Sequence, residues 1–242
     1  MSEDGRLDEL RANLRAVRER LDAACRAAGR DPAEVAVVAV TKTYPAEDVV
    51  RLARLGITDI GENRDQEAAP KAADVARDGA TVRWHFVGQL QRNKCRSVVT
   101  YADVVQSVDS VRLAVALDEA VQKYRERPLD VLVQVSLDGD TDRGGAAPGA
   151  EADDVQLDHV LAAAEAAEGL RLRGLMAVAP VEWEAERAFE ELARVAERVR
   201  ASYPDATVLS AGMSGDVEQA IHHGATHVRL GTALLGNRAH LM

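Results

Sequence analysis

Short apolar runs alternate with amphipathic stretches along the chain. Residues 6–28 place apolar side chains at alternating steps of three and four, which predicts a helix over about residues 5–28. Eight strand-like runs follow, at residues 35–42, 57–63, 81–88, 103–109, 130–138, 170–179, 206–214 and 226–236. Helical patterns fall between them at residues 45–56, 91–99, 110–126, 153–167, 184–203 and 216–224.

Eight strands alternating with helices over a chain of 242 residues are typical of a (β/α)8 barrel, also called a TIM barrel. A doubly wound open sheet is the competing α/β arrangement, but it usually has only about five to seven strands. No G-x-G-x-x-G motif follows the first strand, and no linker interrupts the alternation. We therefore predict a single barrel domain over residues 1–242, with the barrel at about 35–238 preceded by the N-terminal helix.

Composition adds limits on partners and location. With 47% hydrophobic but only 3% aromatic residues, the core must consist mainly of Val, Leu, Ile and Ala. A net charge of -10 argues against a nucleic acid partner. No apolar stretch is long enough to cross a membrane, and the N-terminus is too charged for a signal peptide, so we expect a cytoplasmic protein. Cys25 and Cys95 lack a CxxC partner and are expected to be reduced.

Lys42 is the first candidate for chemistry. The chain has only four lysines among its 30 Lys and Arg residues, and only Lys42 follows an apolar run of a predicted strand. In a barrel this strand end lies on the working face, where partial desolvation would favour a neutral amine able to form a Schiff base. A strand-end lysine that simply reaches solvent is the alternative. Lys71, Lys94 and Lys123 fall in helical or charged surroundings.

The second candidate feature is a pair of glycine-containing turns near the C-terminus. In "GMSGD", Gly212 and Gly215 flank Ser214 just before a predicted helix, and in "RLGT", Gly231 precedes Thr232. Barrels commonly bind phosphate with the loops that follow strands seven and eight. Ordinary helix caps or turns are the alternative for each pair.

A Schiff-base lysine and a phosphate cradle together indicate a phosphorylated aldehyde. The first and last strands are neighbours in a closed barrel, so one small ligand could contact both features. Pyridoxal 5'-phosphate (PLP) fits this description, and its pyridine nitrogen needs a protein partner. Arg229, two residues before Gly231, should point into the same site. An ordinary ion pair is the alternative for this arginine.

Six blocks of sequence carry a family resemblance. In order over about residues 35–238, they are "AVTKTYP", "DIGENRDQEAAPK", "WHFVGQLQRNK", "SVDS", "LSAGMSGDVEQAI" and "VRLGTALLG". Together they resemble the pyridoxal phosphate homeostasis protein family (YggS/PROSC type). This resemblance implies a PLP-binding barrel like the N-terminal domain of alanine racemase, with the cofactor held as a covalent aldimine on Lys42. The other cofactor-binding positions that it implies are Asn63, His85, Met213, Ser214, Arg229, Gly231 and Thr232.

Some segments depart from the family pattern or carry no assignment. Arg64 and Asp65 stand where this family often has an aromatic residue and valine, and the loop 138–150 is more acidic than usual. That loop begins like an EF-hand but has Arg143 where glycine is needed, so we interpret it as a solvated loop. The remaining histidine cluster is interpreted as helix-end residues without metal; it comprises His222, His223 and His227.

Three functions compete. The first is a non-catalytic protein that holds PLP and takes part in vitamin B6 homeostasis, passing the cofactor to PLP-dependent apoenzymes. The second is a PLP-dependent amino-acid racemase, and the third is a PLP-free barrel enzyme that uses a lysine Schiff base. We favour the first, because the sequence ends soon after the eighth strand without the additional domain that alanine racemases use for their second base. No exposed heptad repeat indicates a dimer, so we expect a monomer.

Overall fold

Eight parallel strands close into a barrel in the computed structural model, which describes residues 3–141 and 143–236. The strands are β1 (Ala36–Val40), β2 (Asp59–Glu62), β3 (Arg83–Phe86), β4 (Val104–Val108), β5 (Leu129–Gln134), β6 (Leu170–Met176), β7 (Val208–Ser210) and β8 (His227–Leu230). Closure is made by β1 and β8, where Val38 pairs with Arg229. The predicted (β/α)8 barrel is confirmed, and each of the eight strands overlaps one of the eight predicted runs.

Helices surround this barrel. They are α1 (Glu3–Ala27), α2 (Ala46–Arg54), α3 (Asp65–Arg77), α4 (Cys95–Tyr101), α5 (Val111–Tyr124), α6 (Leu157–Ala166), α7 (Ala185–Ser202), α8 (Val217–His222) and α9 (Thr232–Leu235). The N-terminal helix α1 packs against α8 and α9 through the apolar face that the sequence predicts. The buried side chains of that face are Leu10, Leu14, Val17, Leu21 and Cys25.

Two described helices, α3 and α9, have no counterpart in the sequence prediction. Helix α3 was missed, because Pro70 lies inside it and its buried side chains are mostly small. A proline in a helix interior removes one backbone hydrogen bond and usually marks an end. The eighth predicted strand, 226–236, was too long: β8 stops at Leu230, and Thr232–Leu235 forms a helical turn. Gly231 makes this change of direction with φ -109° and ψ -85°.

The core is aliphatic, as the composition predicts. Every residue of β4 is buried, since a strand of a parallel barrel is covered by the barrel interior on one face and by helices on the other. Phe86 and Phe189 are the two largest fully buried side chains, and Val, Leu and Ala supply most of the rest. Cys25 and Cys95 are buried free thiols, and burial raises the pKa of Cys95 to about 11.

Some predictions extend past the described chain. The predicted domain 1–242 and barrel 35–238 include residues 1–2, 142 and 237–242, which lie outside the described residues. Within residues 3–141 and 143–236, no helix combines the length and the apolar character that a bilayer span requires.

Candidate functional site

A cavity of about 430 Å³ opens at the C-terminal end of the barrel. It brings together seven of the eight predicted site residues: Lys42, Asn63, Met213, Ser214, Arg229, Gly231 and Thr232. The other lining residues are Gly215, which the sequence analysis names beside Ser214, and four that it does not name: Val40, Val87, Gly88 and Val178. The site is therefore built by six strands or the segments that directly follow them: β1, β2, β3, β6, β7 and β8.

Lys42 lies in a tight turn just beyond β1. The Tyr44 N–H donates to the Thr41 carbonyl across 3.0 Å, and the Thr43 N–H donates to Glu67 Oε2 across 3.1 Å. Thr43 has φ +67°, a left-handed conformation that costs a β-branched residue about 1–2 kcal/mol. This turn carries Lys42 past the barrel rim. The side chain is exposed, so the expected partial desolvation of Lys42 is not found.

A buried ion pair supports both Lys42 and Asn63 from outside the barrel. Lys71 Nζ, on α3, donates to the Thr41 carbonyl at 2.8 Å and to Glu62 Oε1 at 2.5 Å. The Thr41 hydroxyl also donates to Glu62 Oε1, at 2.6 Å. Because Thr41 and Glu62 directly precede Lys42 and Asn63, the Lys71–Glu62 pair ties the ends of β1 and β2 to α3.

Arg229 is the buried cation of the cavity wall. Its guanidinium donates to the Ser210 carbonyl and hydroxyl and to the Ala177 carbonyl, each at 2.8 Å. Burial lowers the pKa of Arg229 to about 10, which leaves it protonated at neutral pH. Among the described residues no carboxylate forms an ion pair with it, although Asp216 attracts it at longer range. The cavity therefore presents a positive charge that the protein leaves partly uncompensated.

A chain of hydrogen bonds, the interior network, runs from this arginine through the barrel core. The Ser210 hydroxyl donates to Gln106 Oε1 at 2.7 Å, and Gln106 Nε2 lies 2.8 Å from His85 Nδ1. His85 Nε2 in turn lies 2.8 Å from Asp59 Oδ1. Because an arginine can only donate, every bond in the network has a fixed direction, and His85 accepts at Nδ1 and donates at Nε2.

His85 thus lies apart from the cavity that the other predicted residues line. It is 2% exposed and reaches Arg229 only through Gln106 and Ser210. Its contribution to the site is to orient those two side chains and, through them, the guanidinium. One sequence signal could have found Gln106: an amide in the middle of an otherwise apolar strand must have a hydrogen-bond partner when buried.

His227 packs at the start of β8 beside His85, with ring centroids 6.3 Å apart. Burial lowers the pKa of His227 to about 4, whereas a histidine of the unfolded chain titrates near 6.5. Between these pH values the unfolded chain binds a proton that the folded chain excludes, so stability falls as pH falls. We expect acidification from neutral pH to about pH 4.5 to remove about 2 kcal/mol of unfolding free energy through His227.

Urea denaturation at a series of pH values measures this loss. Other groups also titrate over this pH range, so the unfolding free energy is compared between wild type and His227→Asn at each pH. The unfolding free energy of His227→Asn should change less with pH. His159→Asn, at an exposed position on α6, is the control for replacing a histidine. Parallel curves for wild type and His227→Asn would contradict the assignment.

The turn after β7 lines the cavity with Met213, Ser214 and Gly215. The Met213 N–H donates to Asp216 Oδ1 at 2.6 Å, and the Ser214 carbonyl accepts from Arg20 on α1 at 2.7 Å. Gly212 is required beneath the turn, because it has φ +90° and an added Cβ would lie 2.6 Å from the Ala220 side chain. In the part of the chain that the structure describes, neither the Ser214 nor the Thr232 hydroxyl has a protein hydrogen-bond partner.

The histidine cluster of the sequence divides into two places. His222 and His223, at the end of α8, lie beside Glu186 of α7, and His223 Nε2 is 2.8 Å from Glu186 Oε1. One ligand atom of each of these three residues lies within 4.8 Å of the others. Glu186 is 36 positions from His222, so no spacing rule could have joined them. His227 belongs to the barrel interior.

Comparisons with known proteins agree with this fold. Residues 6–239 match the family model described as alanine racemase, N-terminal domain, which gives the class of barrel. The pyridoxal phosphate homeostasis protein of Mycobacterium leprae (strain TN) is 47% identical over 246 residues, covering 96% of this chain and 93% of that protein. The protein of the same name from Escherichia coli (strain K12) is 36% identical over 237 residues, covering 96% and 98%.

Among solved structures, PipY of Synechococcus elongatus PCC7942 with PLP bound is similar to this chain. It has a TM-score of 0.78 and 31% sequence identity, covering 94% of this chain and 100% of that one. With relatives this similar over nearly their whole length, the chain belongs to the pyridoxal phosphate homeostasis protein family.

Proposed function

We propose that this protein binds PLP in the cavity at the C-terminal end of its barrel, as a Schiff base with Lys42, and takes part in intracellular PLP homeostasis. The observation that carries the proposal is that the residues around one cavity of about 430 Å³ include a primary amine, a buried guanidinium and two hydroxyls without a hydrogen-bond partner among the described residues. That volume falls within the range of about 300–1,000 Å³ that small-molecule sites occupy.

The donor set fits PLP. Arg229, protonated and without an ion-pair partner among the described residues, suits an electron-rich or anionic ligand atom such as a pyridine nitrogen. The Ser214 and Thr232 hydroxyls lie on the two turns after β7 and β8, where barrels commonly hold phosphate. Gly215 leaves open space where a side chain would stand.

Each residue then has a defined task. Lys42, exposed at the cavity mouth, would hold the ligand through its amine, and the C=N bond to the aldehyde carbon would form with loss of one water. Ser214, Thr232 and the Met213 turn hold the phosphate, and Asn63 orients the ring from the β2 side. His85 acts indirectly, through the interior network. PLP itself supplies a reversible carbonyl for amines and an electron-withdrawing ring.

The carrier function is favoured over racemisation by two features. The curated relatives named above are homeostasis proteins. In addition, an arginine beside the pyridine nitrogen keeps its proton, so the ring is a weaker electron sink than one paired with a carboxylic acid. A cytoplasmic location, a monomeric state and PLP-dependent apoenzymes as recipients complete the proposal.

Reduction with borohydride tests the attachment directly. We expect purified wild type incubated with PLP to be yellow and, after reduction, to carry one phosphopyridoxyl group on the peptide that contains Lys42. Lys42→Ala should lose both the colour and the modification, because the condensing amine is gone. The readouts are absorbance and mass spectrometry of the digested protein, in which four lysines give a simple map.

Lys123→Ala is the matched control. Lys123 lies on α5, with its Nζ 5.3 Å from the Tyr124 ring centroid, and its replacement should leave labelling unchanged. A label that remains in Lys42→Ala, or a colourless wild type, would refute the proposed attachment. Loss of optical activity from L-amino acids at ordinary enzymatic rates would instead support the racemase alternative.

A further inference from the structure

Three polar side chains of α1 donate hydrogen bonds to backbone carbonyls of segments that line the cavity. Arg20 donates to the Ser214 carbonyl at 2.7 Å, Asn13 to the Leu234 carbonyl at 3.1 Å and Arg6 to the Leu235 carbonyl at 3.1 Å. Their spacing of seven residues places all three along one face of the helix. We call Arg6, Asn13 and Arg20 the α1 polar stripe.

The stripe is held firmly in place. Asn13 and Arg20 precede the buried Leu14 and Leu21 of the apolar face, so their backbone is fixed where α1 packs on the barrel. Arg6 also forms an ion pair with the buried Asp48 of α2, and this hydrogen bond raises the pKa of Arg6. Arg20 contacts both carboxylate oxygens of Glu218 on α8, which raises the pKa of Arg20. Ion pairs therefore hold the guanidinium groups of Arg6 and Arg20 in place.

The carbonyls that the stripe contacts belong to the two turns with the unpartnered hydroxyls. Ser214 lines the cavity, while its carbonyl accepts the hydrogen bond from α1. Leu234 and Leu235 end the short helix α9, whose first residue, Thr232, lines the cavity. Their carbonyls lack intrahelical partners, because the last turn of any helix leaves them free. Helix α1 thus fixes both turns from outside the barrel without contacting the cavity.

We propose that the α1 polar stripe is a positioning element that sets the affinity of the site for the phosphate group of its ligand. This inference rests on the proposed function, since it concerns the turns assigned to the phosphate. Hydrogen bonds to a phosphate are strong only when hydroxyls and amides are already in place, because a mobile turn must first be ordered. The stripe supplies that order: Arg20 bonds the turn after β7, and Asn13 and Arg6 bond the end of α9.

Comparing PLP with pyridoxal, which lacks the phosphate, isolates this effect. We expect Arg20→Met to raise the dissociation constant of PLP about tenfold, equivalent to about 1.4 kcal/mol. The dissociation constant of pyridoxal should change less than about twofold. Asn13→Leu should act in the same direction through α9. The dissociation constants are measured by absorbance titration of the full chain, with circular dichroism as the check on folding.

Arg30→Met is the matched control. Arg30 also donates to two backbone carbonyls, those of Ile221 and Ala225, but these lie in the last turn of α8 and just beyond it, away from the turn that holds Ser214. Its replacement should leave both affinities unchanged. If Arg20→Met does not fold, Arg20→Lys, which keeps the charge with a shorter reach, gives the same comparison.

The outcomes separate the two proposals. The positioning role would be overturned if Arg20→Met and Asn13→Leu weakened the binding of PLP and of pyridoxal equally, or weakened neither. Either result would leave the proposal of PLP binding intact. A wild type that binds neither ligand would overturn the proposed function, and the positioning role with it.

Discussion

Lys71→Met is expected to lower the free energy of unfolding by about 3–5 kcal/mol, because it leaves the Glu62 carboxylate buried without its cation. Glu62 is 1% exposed, and its second oxygen, Oε2, already has no hydrogen-bond partner in the described structure. Methionine fills a volume close to that of the lysine stem, so the lost charge rather than a cavity dominates. Urea denaturation at neutral pH gives the value.

Two further variants identify the cause. Lys71→Met combined with Glu62→Gln removes both charges while keeping an oxygen for the Thr41 hydroxyl, and it should recover at least about 2 kcal/mol of the loss. Lys94→Met is the control for losing a lysine, since Lys94 is half-exposed and 4.0 Å from Asp65, and such pairs contribute at most about 1 kcal/mol. Equal instability of the single and double variants would exclude the ion pair as the cause.

Gly88→Ala is expected to destabilise the fold by about 3 kcal/mol, because the new side chain would overlap the backbone of Asn63. An added Cβ would lie 2.2 Å from the Asn63 carbonyl oxygen and 2.7 Å from its Cα, and neither atom can move without shifting the end of β2. Since Asn63 lines the cavity, PLP affinity should fall as well. Urea denaturation and PLP titration of the same sample measure both effects.

Gly215→Ala is the matched control on the opposite side of the cavity. Its added Cβ meets nothing within 4 Å, and its φ is not in the left-handed region. The substitution should leave stability unchanged or raise it by up to about 1 kcal/mol through the unfolded chain. If Gly88→Ala proves as stable as Gly215→Ala, the close approach of β2 and the segment after β3 is not a constraint on the fold.

The strands and the cavity were predictable for a simple reason. Parallel strands of a barrel are buried on both faces, so each appears in the sequence as a short apolar run, and polar residues at its C-terminal end mark the site. Lys42, Ser214 and Arg229 were found in this way. Asn63 and Met213 came from the family resemblance, and the cavity includes both.

Features that depend on contacts between distant segments were not predictable. Lys71, on the helix α3 that the sequence pattern does not predict, pairs with Glu62 nine positions away, and Arg20 reaches Ser214 across 194 positions. His85 was assigned to the site through the family resemblance, but its position in the barrel interior depends on Gln106 and Ser210. Periodicity indicates which face a side chain occupies, whereas its partner is set by the tertiary structure.

The surroundings of the other lysines have a consequence for a protein that meets reactive aldehydes. Lys71 is buried, and guanidinium groups, which stay protonated, supply most of the positive charge of the chain. Aldehydes form non-specific adducts with accessible amines, and this chain has few accessible lysine amines. The surface should therefore keep its charge and solubility during long exposure to vitamin B6 aldehydes or reducing sugars, conditions that gradually damage lysine-rich proteins.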